Sequence, residues 1–136
     1  MAMPHVIDVA LTGSRVICNP PPTDTDLDIL MLVDADFKQL ATWTQCAAYM
    51  VAWDHHNDCD EEMSFEAFRD GEVNYIVTLE PVLFDAFVLA TKTATSLNLL
   101  EKEKRIALFQ FVLYGRGEIS DDWRQQLATQ IAAGAL

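Results

Sequence analysis

Apolar positions run together or alternate three times in the first eighty residues, and after that they recur at helical spacing. Val6-Ile7-Asp8-Val9-Ala10-Leu11 is β-branched and apolar, as a strand requires, and it ends at Thr12-Gly13-Ser14. Pro20, Pro21 and Pro22 then exclude a regular helix and favour an extended connection. Residues 27–33 form a second apolar run and Val73–Thr78, after Gly71, a third. Between them Phe37, Leu40, Ala41, Thr44, Ala48 and Val51 fall at helical spacing, which predicts an amphipathic helix over about 36–52. The stretch 54–62 holds five acids and reads as a solvated loop.

The last third of the chain reads as three helices. Pro81 suits a first helical turn, and Leu83, Phe87, Ala90, Ala94 and Leu97 supply a stripe behind it. Ile106, Phe109, Val112 and Leu113 mark a helix over about 101–114, closed by Gly115 and Gly117. Ser120 is placed to cap a last helix whose stripe is Trp123, Leu127 and Ile131, with Asp121 and Asp122 at its positive end. The expectation is one α/β (α+β) domain over 1–136. Its sheet-bearing core covers about 5–80 and its helical part about 81–134.

Composition narrows the function more than the fold. The chain has 136 residues, 51% of them hydrophobic, enough to bury a core and too many for wholesale disorder. No apolar run reaches the roughly 18–20 residues of a membrane span, and the first residues lack the pattern of a secretory signal. Three cysteines, Cys18, Cys46 and Cys59, make no metal-like spacing, and the odd number suits a reducing compartment. A zinc site from His55, His56 and Cys59 has little beyond proximity to recommend it. These features point to a cytoplasmic protein.

Charge is distributed unevenly. Net charge is −12; residues 1–91 hold 16 acids and 3 bases, residues 92–136 hold 5 acids and 6 bases. An acidic face repels a polyphosphate backbone, which argues against long DNA or RNA as a ligand unless a partner supplies the positive groove. It attracts metal ions, basic surfaces or cationic substrates. Lys102, Lys104 and Arg105 form the one local basic cluster, best read as a solvated helix face. Trp43, Trp53 and Trp123 lie in amphipathic patterns and read as core or interface aromatics.

Candidate chemistry centres on Asp26 and Asp28 in Thr25-Asp26-Leu27-Asp28-Ile29. On an extended strand such a pair shares one face at roughly 6–7 Å. Both carboxylates then reach a pair of divalent cations about 3.5–4 Å apart, the arrangement of two-metal phosphoryl chemistry. Like charges side by side repel, so something positive is expected between them.

Gly13-Ser14 after one strand and Asp-x-Asp on the next resemble the DNA polymerase β-type nucleotidyltransferase superfamily. Leu11-Thr12-Gly13-Ser14-Arg15-Val16, Cys18-Asn19-Pro20-Pro21-Pro22-Thr23-Asp24-Thr25-Asp26, the stretch from Arg69 to Thr78 and residues 97–115 resemble its small representatives in tailed bacteriophages. The resemblance implies that Asp26 and Asp28 coordinate two Mg²⁺ ions. It also implies that Gly13 and Ser14, with backbone N–H groups, hold the phosphates of an NTP. Arg15 pairs with a phosphate or neutralises the acids. The implied reaction moves a nucleoside monophosphate to an unknown hydroxyl on a protein, an RNA end or a small molecule. The setting would be the host bacterial cytoplasm, and the apolar C-terminal helices offer surfaces for self-association.

The superfamily places a third carboxylate on a later strand, and the matching position here is Asn74. An amide ligates metal through its oxygen but takes no proton at neutral pH. Glu72 and Glu80 are the nearby alternatives. Arg69 reads as a structural pairing or a phosphate contact. The departure at Asn74 keeps a second reading open, a catalytically weak relative acting as an acidic binding or inhibitory protein on a host target.

Overall fold

The computed structural model describes residues 5–23, 26–34, 49–51 and 65–134. Where apolar residues alternate or run in the first eighty positions, strands form. Strand β1 covers His5–Thr12, and a single turn of helix, α1, follows at Ser14–Ile17. Strands β2 (Leu27–Asp34), β3 (Tyr49–Val51), β4 (Phe65–Asp70) and β5 (Val73–Thr78) complete one sheet in the order β1-β2-β5-β4-β3. Helices α2 (Pro81–Leu97), α3 (Lys102–Tyr114) and α4 (Asp121–Ala132) follow. The result is a small mixed α/β fold. Among the described residues no helix is long and apolar enough to cross a membrane.

Two compact units divide the chain, Met1–Leu11 with Asp26–Phe84, and Thr12–Thr25 with Asp85–Leu136. The first holds the sheet. β2 and β5 pair in parallel with Leu27 opposite Val73 and Leu32 opposite Thr78. In β2, Leu30, Met31, Leu32 and Val33 are all buried, as are Ile76, Val77 and Thr78 in β5. Residues of both parities are therefore dry, which explains why these strands read as continuous apolar runs rather than alternations. Met31, Val33 and Val77 cluster on one face with Ile29, Tyr75 and Leu79. Asp28 and Leu30, two residues apart, belong to the other.

β4 and β5 are a hairpin in which Asp70 pairs with Val73, leaving Gly71 and Glu72 as the loop. Gly71 has φ +61°, as the first position of a II′ turn requires. Gly at the first of two loop positions is the signature of that turn, and it is the local signal that residues 65–70 turn onto β5 as a strand, which the apolar pattern alone does not give. β3 pairs antiparallel with β4, Tyr49 opposite Arg69 and Val51 opposite Ala67. The end of the helix expected over 36–52 is thus a strand. Aromatic and β-branched Tyr49 and Val51 fit a ladder at least as well as a helix, and an available partner strand decides. The rest of that expected helix, the acidic loop 54–62 and the residues Trp43, Cys46, Trp53, His55, His56 and Cys59 lie outside the described residues.

The second unit is helical. Ile17, Cys18, Leu89, Ala94, Leu99, Leu108, Ile119 and Leu127 form its buried core, with Phe109, Phe111, Val112 and Trp123 packed against them. Phe87 and Phe109 meet edge to face at 4.9 Å. Thr91 and Thr93 are buried on α2, and each hydroxyl donates to the carbonyl four residues earlier, Phe87 at 2.9 Å and Leu89 at 2.8 Å. Gly115 ends α3 at φ +67°, its N–H and that of Arg116 taking the carbonyls of Phe111 and Gln110. Ser120 Oγ accepts from the Trp123 N–H at 3.3 Å, the expected cap of α4.

Candidate functional site

β2 enters the sheet through the Leu27 N–H, which donates to the Glu72 carbonyl at 3.0 Å. Asp28 is therefore the second ladder residue, half-buried, and its partner in the parallel register is Asn74. The two side chains meet: Asn74 Nδ2 donates to Asp28 Oδ1 at 3.0 Å. Chemistry fixes the amide this way round, since its oxygen turned toward a carboxylate would oppose two acceptors. Asn74 Oδ1 then points elsewhere, buried and accepting no hydrogen bond from the described residues.

Asp26 is half-buried and stands one residue before the ladder begins, so Asp28 alone of the pair is a strand residue. Position 74, expected from sequence to stand at the site, does face Asp28. Glu72 is exposed in the hairpin loop, and Glu80 is exposed beyond β5 with its N–H on Thr78 Oγ1. Neither faces Asp28 in the β2–β5 register. The amide N–H of Asn74 is one of the groups that meet the Asp28 carboxylate. Among the described residues no three His, Cys, Asp or Glu side chains gather into a metal cluster.

Gly13, Ser14 and Arg15 belong to the second unit. Gly13 holds φ 84° and ψ −179°, a conformation essentially reserved for glycine, and this turns the chain from β1 into α1. Its carbonyl accepts from the N–H groups of Val16 at 3.1 Å and Ile17 at 3.0 Å. Ser14 is half-buried and Arg15 exposed.

The flanks of this turn are tied down within the second unit. Thr12 Oγ1 lies 2.7 Å from Thr91 Oγ1. Thr91 spends its single hydroxyl proton on Phe87, so Thr12 is the donor. Asn19 and Asn98 exchange two bonds, Asn19 N–H to Asn98 Oδ1 at 2.9 Å and Asn98 Nδ2 to the Asn19 carbonyl at 3.1 Å. Ile17 and Cys18 are core residues.

Arg105 corrects the reading of the basic cluster as a solvated face. Its Nη1 lies 2.8 Å from the carbonyls of both Leu99 and Leu100, and 3.3 Å from Cys18 Sγ. It is a structural cation that satisfies the turn between α2 and α3. Periodicity carries no signal for that role. Lys104 reaches Glu101 at 3.7 Å with both side chains more than half exposed, a weak pair. Compared with protein-family models, curated proteins and solved structures, the chain matches none.

Proposed function

We propose that the chain is a nucleotidyltransferase-like protein that binds a nucleoside triphosphate with Mg²⁺, using Asp26 and Asp28 toward the metal. By the same resemblance, contact with the phosphates falls to Gly13, Ser14 and Arg15. The observation that supports this is the register of β2 and β5, in which position 74 stands opposite Asp28 and its side chain touches it. The Asp28 carboxylate is a hard oxygen donor of the kind Mg²⁺ selects, and so is the Asn74 amide oxygen, which accepts no hydrogen bond from the described residues and would have to turn toward Asp28 to share an ion with it. When bound, the ion would supply positive charge at the phosphates and at the acceptor oxygen.

In the proposed reaction an acceptor hydroxyl attacks the α-phosphate and pyrophosphate leaves. The amide at position 74 cannot take the hydroxyl proton, so a base must come from elsewhere. Asn74 thus favours binding over turnover and supports a second reading, a weakly catalytic binding protein. Its net charge of −12 suits a basic host target.

Calorimetry with ATP, GTP, CTP and UTP in Mg²⁺ tests the shared part. The wild type is expected to bind at least one nucleotide, and Asp26→Asn with Asp28→Asn to abolish binding. Failure of the wild type to bind any of the four sinks the proposal. Transfer of label from α-phosphate-labelled nucleotides to a cellular acceptor separates the enzyme from the binding protein.

A further inference from the structure

The two edges of the sheet differ in kind. β3 is a three-residue edge, short enough to offer little. β1, at the other end of the strand order, runs for eight residues, and among the described residues its one strand neighbour is β2. Ile7, Val9 and Leu11, two apart and so on one face, are 54%, 55% and 56% exposed, and Val6 on the other face is 41% exposed. Edge strands are normally blunted by lysine, proline or a bulge. The sequence His-Val-Ile-Asp-Val-Ala-Leu-Thr contains neither lysine nor proline.

Its one acid, Asp8, closes a single backbone group. The Val9 N–H donates to Asp8 Oδ1 at 2.8 Å, in an exposed position. A cation arriving opposite Asp8 would draw the carboxylate away and return that N–H to a ladder. The net charge of the chain, −12, favours the same kind of partner. A second copy would bring the same net −12 and the same Asp8 to the interface, so self-pairing is opposed by charge.

We infer that the outer edge of β1 is a docking strand for an extended segment of a partner protein in which apolar residues alternate with lysine or arginine. The segment adds a sixth strand to the sheet. Main-chain bonds hold it, its apolar side chains cover Ile7, Val9 and Leu11, and a basic residue takes Asp8. This surface is independent of the proposed nucleotide site.

The probe is a capped octapeptide alternating lysine and valine, titrated against the full chain at low salt with hydrogen exchange read residue by residue. One control peptide has the same charge but N-methyl groups along one edge; a second has glutamate for lysine. Binding is expected to slow exchange in β1, about tenfold or more at the edge amides, and N-methylation to weaken it by about tenfold through lost main-chain bonds. Asp8→Asn, which leaves the strand intact, is expected to weaken binding about threefold. Equal binding of the N-methylated peptide, equal binding of the glutamate peptide, or protection spread over the acidic surface without β1 would each overturn the inference. So would sedimentation showing a dimer of the chain that protects β1 without peptide. Nucleotide binding that fails while β1 protection persists would count against the nucleotide reading alone.

Discussion

Replacing Asn74 by aspartate converts the contact with Asp28 from donor–acceptor to like-charge, and the size of the effect follows from the geometry. With a 3.0 Å bond in the native pair, two carboxylate centres would sit about 4 Å apart, where the repulsion is about 4 kcal/mol at an effective dielectric of about 20. Both groups are half-buried, so water lowers this, while the lost bond to a charged acceptor costs about 1.5–3 kcal/mol. Proton uptake sets the ceiling. Protonating one carboxyl at pH 7, about three units above its ordinary value, costs about 4 kcal/mol and restores a donor between the residues.

The expected loss for Asn74→Asp at pH 7 is therefore about 2–4 kcal/mol, and at pH 5 the same ceiling falls to about 1.5 kcal/mol. The sign is set by linkage. Repulsion raises a carboxyl pKa in the folded variant above its unfolded value. The folded state then binds more protons, and relative stability falls as pH rises through that raised value. Mg²⁺ at about ten times its dissociation constant should return about 1.4 kcal/mol to the variant, and less to the wild type, which has one negative charge fewer. Urea denaturation of both proteins at pH 5 and pH 7, with and without Mg²⁺, reads all of this. A loss below about 0.5 kcal/mol at pH 7, or one that does not shrink at pH 5, would refute the juxtaposition of the two side chains. A normal loss with no extra gain from Mg²⁺ would refute the cation reading and leave the juxtaposition standing.

Thr91→Val leaves the buried Thr12 hydroxyl without its acceptor and should destabilise by about 1–3 kcal/mol in chemical denaturation, with Thr12→Val added on top costing less than the sum of the singles. Arg105→Ala strips the Leu99 and Leu100 carbonyls of a charged donor and should lower stability by about 1.5–3 kcal/mol; Arg105→Lys should recover only part, because its nitrogen sits one bond nearer the backbone than Nη1. Gly115→Ala meets no atom within 4 Å, so its cost should be purely that of a left-handed alanine, about 1–2 kcal/mol by thermal melting.

Legibility in this sequence followed the strength of local signals. β2 and β5 are continuous apolar runs because both parities are buried, whereas β1 is an apolar run that stays largely exposed. Pro81, Gly115 and Ser120 mark helix ends, but the fully buried residue of α3 is Leu108, outside the stripe read from spacing, and Ile131 of the α4 stripe is 49% exposed. Phe65-Glu66-Ala67-Phe68-Arg69-Asp70 has neither pattern, since four of its six residues are charged or helix-prone. It is a strand because Asp70-Gly71 turns it onto β5. Tyr49-Met50-Val51 sits at the end of a segment with helical spacing and is a strand because β4 lies beside it. In both cases a non-local pairing overrides a weak local preference, which no window of sequence contains.

For the candidate site the sequence offered residues and no arrangement. Asp28 and Asn74 lie 46 residues apart and were each singled out through a family pattern; the register of β2 and β5 brings their side chains into contact. What sequence left out is what the amide does. A carboxylate at position 74 would need a cation to coexist with Asp28, so a site of that kind is destabilised whenever the ion leaves. Asparagine removes that dependence by donating its own N–H, and the strand pair closes without metal. On the proposed reading, asparagine at this position leaves the site without a base and also spares the fold a like-charge pair when no ion is bound. A protein retained for binding a partner has reason to favour that exchange, and an enzyme retained for turnover has reason to resist it. A small gain in stability from Mg²⁺ in the wild type beside a larger one in Asn74→Asp would be the physical signature of that exchange.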